Sequence, residues 1–175
     1  MHVTEPTTLV TDYILAVECV FFAWSLLTRS RRAGRGSVGL WVLAFAVTAI
    51  AALAGGTAHG FRLFLGEAGW SAVWTMTVWG IGIGAVLLLV AGVRSALRPE
   101  NDVHAQRKAG GNWLKLGIVV SAIAVALLVG KVSPHPHFNQ NDLYHIVQMI
   151  GLYCFYKGAV LLHDLPPSPT SARQA

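Results

Sequence analysis

The chain has 175 residues, 54% of them hydrophobic and only 12% charged, with a formal net charge of +5 and a mean hydropathy of +0.56. Soluble domains carry about 25% charged residues, so a soluble enzyme or scaffold is excluded. The excess charge does not indicate nucleic acid, because the basic residues are confined to alternate loops between apolar runs.

A bilayer core of about 30 Å requires about 20 helical residues. Five runs meet that length and predict an all-α integral membrane bundle, with transmembrane helices over 8–28, 37–60, 70–93, 112–131 and 141–163. They form one domain, residues 1–165, followed by a Pro/Ser-rich tail, 166–175, expected to be disordered and cytoplasmic. The first helix lacks a positive leader and contains Asp12 and Glu18, so it is not a cleavable signal. Cys19 on it and Cys154 on the last helix lie at similar depth, either as apolar fillers or as a bond should the two helices touch. Loop one, SRRAGRGS, is basic. Helix two carries Gly56 and Gly60 at small-xxx-small spacing and ends with Thr57 and His59. Helix three opens with Trp70, Trp74 and Trp79, which suit an interfacial belt, a lipid face or a pocket wall. Loop three, from Arg94 to Gly111, is the longest and again basic. Loop four, SPHPHFNQ, holds His135 and His137.

Arg29, Arg31, Arg32 and Arg35 fill loop one, and Arg94, Arg98, Arg107 and Lys108 fill loop three; loops two and four hold only Arg62 and Lys131. Basic loops face the cytoplasm, which predicts an outside N-terminus, a cytoplasmic C-terminus and a multi-pass protein of the inner or plasma membrane. With that orientation the polar residues collect in one leaflet. Asp12 lies a turn below the outer surface and Glu18 about 9 Å deeper at 1.5 Å per residue. Thr57 and His59 close helix two at the same level. Helix five brings Asn141, Asp142 and His145 there, with Gln148 one turn below. Asp142, His145 and Gln148 recur at i, i+3, i+6 and share a face. An ionised side chain at the bilayer centre costs about 2.5–3.5 kcal/mol on insertion scales, so these groups are expected to face one another, a metal ion or a water-filled cavity. For Asp142 there is a simpler role, a first-turn acid beside an Asn139 or Asn141 cap.

Two imidazoles with carboxylates suit a divalent ion such as zinc, whose catalytic sites use three protein ligands and one water. His59, His145 and Asp142 are the candidate metal ligands. Asp142, Glu18 and Asp12 are the candidate catalytic carboxylates, and Thr57, Asn141, Gln148 and Trp74 are candidate walls of the substrate pocket. The segments EPTTLVTDYILAVE, AGGTAHGF and NDLYHIVQMIGLYCFYKGA resemble a family of small bacterial multi-helix membrane proteins with no assigned activity. More distantly, the arrangement is similar to the alkaline ceramidase and adiponectin receptor superfamily, seven-helix intramembrane zinc hydrolases acting on lipid amides. That resemblance places His59 at the early zinc histidine and His145 at the second of a final H-x-x-x-H pair. Asn141 stands at the first position of that pair, Gly55 at the family serine, and WSAVWTMTVWG has no acid for the family aspartate. The resemblance implies zinc and a lipid-like substrate. Three classes remain open: a metal-dependent hydrolase of a lipid amide or ester, a non-enzymatic binder of a small ligand, lipid or ion, and a proton or ion transport component. Membrane lipids are the expected partners, nucleic acid is not, and the oligomeric state is not readable.

Overall fold

The computed structural model describes residues 3–33, 38–97, 104–135 and 138–163. It is all-α, with α1 Pro6–Ala33, α2 Gly39–Gly60, α3 Arg62–Ala96, α4 His104–Val129 and α5 Gln140–His163. All five are long and apolar enough to cross a membrane. His137 and the tail 166–175 lie outside the described residues.

Where the helices exceed their apolar windows, composition explains it. α1 continues through TRSRRA and α4 begins eight residues before its predicted start, in HAQRKAGG. Arg, Lys, Gln and Ala are good helix formers, so a helix outlasts its membrane-length window in polar surroundings. α3 starts at Arg62 rather than residue 70, and is broken inside its first turns at Gly66, with φ 63° and ψ 176°. That backbone conformation is essentially restricted to glycine.

Around the bundle the helices run in the order α3, α2, α1, α5, α4. α1 and α5, remote in sequence, are neighbours, whereas α3 and α4, consecutive in sequence, scarcely touch. The core is formed chiefly by α1, α2 and α5: Phe22, Trp41, Phe45 and Leu152 are all buried. Phe22 stacks on Tyr156 with ring centroids 4.5 Å apart, and Ser25 hydrogen-bonds the Tyr156 hydroxyl at 2.8 Å. Trp41 donates its indole N–H to Ser95 at 3.0 Å, fastening α2 to α3. α4 packs along α5, is the least buried of the five apolar spans, and bounds a cavity between itself and α3. Trp79 is 69% exposed on the outer surface of α3, a lipid-facing position. Cys19 and Cys154 are buried free thiols.

Candidate functional site: a buried Asp–His pair in the wall of an apolar cavity

α1, α3 and α5 begin at one end of the bundle and α2 and α4 finish there; this is the polar end. Thr8, Thr11, Asp12 and Leu15 follow i, i+3, i+4, i+7 on α1 and are all buried. Across the seam, Asp142 and His145 of α5 are 0% and 8% exposed. Thr8 donates its hydroxyl to Asp142 Oδ1 at 2.8 Å. The other carboxylate oxygen, Oδ2, accepts the backbone N–H of Asn139 at 2.8 Å, while Asn139 Oδ1 accepts the N–H groups of Asn141 and Asp142. This reciprocal arrangement is a capping box. The simpler role for Asp142 is therefore the one the geometry bears out: it starts α5 and ties it to α1.

His145 sits between two α1 side chains. Its Nδ1 lies 3.0 Å from Thr11 Oγ1, and its Nε2 lies 3.2 Å from Asp12 Oδ1. Thr11 spends its one hydroxyl proton on the Thr8 carbonyl at 3.1 Å, so Nδ1 must be the donor to Thr11. A single proton then remains for the Nε2–Oδ1 contact. Whether it rests on nitrogen or oxygen, the pair as a whole is neutral, and the cost of an isolated buried carboxylate is avoided. α2 contributes Gly55, where a Cβ would come within 3.2 Å of Asp12 Oδ2. The glycine leaves room for the carboxylate to lie against the helix backbone.

His59 reaches the same end of the bundle but turns elsewhere. Its Nδ1 contacts Glu5 Oε2 at 3.1 Å, and its ring stands edge-on to Trp74, with centroids 5.5 Å apart. Trp74 stacks on Trp70, over which Arg62 lies at 4.6 Å. Thr57 bonds the Tyr13 hydroxyl and the Leu53 carbonyl. Glu18 is half-buried, and its Oε2 is buried with no hydrogen-bond partner. Among the described residues, no group of three or more His, Cys, Asp or Glu side chains is placed to hold a metal ion. Of the residues singled out from sequence, Asp12, His145 and Gln148 line one common cavity; His59, Asp142, Glu18, Thr57, Asn141 and Trp74 do not. His135 pairs its backbone with Phe138 in the connection before α5.

The cavity has a volume of about 520 Å³ and lies between α3 and α4, floored by α2 and α5. Its polar-end wall is Asp12, Tyr144 and His145; Gln148, donating to Ser121 at 3.2 Å, sits one turn further in. The middle is aliphatic, including Leu88, Leu89, Leu114, Ile118 and Leu152. Lys115 stands toward the opposite, basic end. Sequence inspection passed over Thr8, Thr11, Tyr144, Ser121 and Lys115. Only the two threonines carried a readable signal, their helical spacing with Asp12.

Five helices long and apolar enough to cross a membrane, a buried Asp–His pair and a cavity walled by two of those helices define a polytopic helical protein of the membrane type. Over residues 7–103 and 101–164 the chain matches the model of a family of unknown function, DUF6962, and it belongs to that family. No curated protein and no solved structure matches it. The comparisons thus supply a family and no activity, and lend no support to the ceramidase and adiponectin receptor resemblance.

Proposed function

We propose that this protein is a non-enzymatic binding protein of the inner or plasma membrane, with its N-terminus outside, that takes a lipid-like amphiphile from the bilayer into the α3–α4 cavity. The carrying observation is the cavity itself: about 520 Å³, largely aliphatic, with the buried Asp12–His145 pair in its wall. Ligand cavities are typically ~300–1,000 Å³, mostly apolar, with a few convergent polar groups. A hydroxyl or carbonyl on the ligand meets Asp12, Tyr144 and His145, and its apolar part occupies the aliphatic stretch. The metal-dependent hydrolase reading requires His59 and His145 to share a zinc ion. Each imidazole instead has its own carboxylate, Glu5 and Asp12 respectively, and the binder reading uses the side chains as they stand.

The test is native mass spectrometry of the full-length protein in neutral detergent with hexadecan-1-ol. One molecule per chain is expected. Asp12→Asn should weaken binding about tenfold, the worth of one hydrogen bond of about 1.4 kcal/mol. Ala85→Phe, which projects into the cavity from α3, should abolish it. Unchanged binding by Ala85→Phe would overturn the reading. One zinc per purified chain, lost in His59→Ala and His145→Ala, would restore the hydrolase.

A further inference from the structure

Besides the Asp12–His145 pair, the cavity has a second polar pole. Lys115 lines it toward the basic end, and Lys108, Gly111, Lys115 and Ile118 follow i, i+3, i+7, i+10 along one stripe of α4. Among the described residues no carboxylate pairs with either lysine. Among the described residues, the only acid in the cavity wall is Asp12, at the far end and already engaged by His145. A cation that no described carboxylate neutralises, at the margin of an aliphatic channel, calls for an anion attached to an aliphatic chain. Lysine stems reach along apolar surface while the ammonium keeps to the polar boundary.

The separation of the two poles follows from helix geometry. On α4, Lys115 precedes Ser121 by six residues; Ser121 is level with Gln148 through their hydrogen bond; on α5, Gln148 follows His145 by three. At about 1.5 Å per residue, the lysine and the Asp–His pair lie about 13 Å apart along the bundle. The walls between them are aliphatic, and α3 carries the cavity from Ile81 to Ala96, about 22 Å by the same rise. The volume of about 520 Å³ lies below the bulk of a two-chain phospholipid.

Resting on the binding function above, we propose that the occupant is a single-chain, long-chain carboxylic acid bearing an oxygen on its chain. Its carboxylate sits at Lys115, and its chain-borne hydroxyl or carbonyl meets Asp12 and His145. The small side chains at the basic end, Gly92, Ala96 and Gly111, leave the passage through which the chain enters sideways from the bilayer.

Binding of 12-hydroxyoctadecanoate and of the neutral octadecane-1,12-diol to the full-length protein in neutral detergent tests this, with wild type, Lys115→Gln and Gly111→Leu compared. A Cβ at Gly111 meets nothing within 4 Å, so the leucine fills the cavity without disturbing the fold. The acid is expected to bind wild type at least tenfold more tightly than the diol. Lys115→Gln should remove that preference and leave the diol unchanged, while Gly111→Leu should lose both ligands. Equal affinity for acid and diol, or no effect of Lys115→Gln on the acid, overturns the carboxylate assignment and leaves the cavity's binding role standing. Retention of both ligands by Gly111→Leu overturns the binding role as well. Displacement of the acid by vesicles of anionic phospholipid, but not of zwitterionic phospholipid, would identify the anion as a headgroup and likewise overturn the assignment.

Discussion

The α1–α5 seam and the α3–α4 gap invert what chain order suggests. The seam joins helices more than a hundred residues apart, and polar side chains run along it: Thr8 to Asp142, Thr11 and Asp12 to His145, and Ser25 to Tyr156. The gap separates consecutive helices that scarcely meet. In lipid, apolar side chains gain little from facing one another rather than acyl chains, so helices associate through packing, small residues and interhelical hydrogen bonds. The seam has these. Facing residues across the gap, such as Ile81, Leu89, Val93 and Ile118, are apolar and leave a hollow. Three consecutive pairs, α1–α2, α2–α3 and α4–α5, do pack closely; at the seam and the gap side-chain chemistry decides which helices close.

Breaking the seam should cost most. Asp142→Leu removes the acceptor of the Thr8 hydroxyl and of the Asn139 N–H, leaving buried donors unmatched and the α5 cap lost. The expected destabilisation is about 2–4 kcal/mol, read from the midpoint of SDS-induced unfolding in mixed micelles. Next comes Gly56→Ala, whose Cβ would fall 2.7 Å from the Tyr13 ring. Forcing α1 away from α2 should cost about 1–3 kcal/mol in the same assay. Gly66→Ala should cost at least about 1 kcal/mol, because alanine is strained at φ 63°, ψ 176°. A smaller effect is expected from a double-mutant cycle of Thr11→Val with His145→Phe. Its coupling should be about 0.6 kcal/mol, the average for interhelical bonds in membrane proteins; a value at zero would remove the Thr11–His145 bond from the seam. The gap gives the smallest effect: Ala85→Phe should alter stability by no more than about 0.5 kcal/mol. A large loss there would mean that α3 and α4 are packed after all.

Much of the architecture was legible because apolar run lengths are a local property. So was the clustering of Asp12, His59, Asp142 and His145 at one end, since helix direction and a 1.5 Å rise fix each residue's level. Rotation about each helix axis is set by neighbours, and here legibility fails. His59 has the right level but faces Glu5, which lies before the first predicted helix. Asp142 shares a stripe with His145 yet is consumed by its own helix start, a role the N-cap chemistry of Asn139 does announce. The cavity was invisible because it arises from contacts that α3 and α4 do not make. Lys115 consequently carried no readable sign of a place in a cavity wall.

The neutrality of the Asp12–His145 pair has a consequence for energetics across the bilayer. Moving a full elementary charge through the membrane potential involves about 2.3 kcal/mol per 100 mV. A proton passing between Nε2 and Oδ1 travels only the width of one hydrogen bond and brings no counter-ion with it. Proton exchange within the pair should therefore proceed equally well in an energised and a depolarised cell.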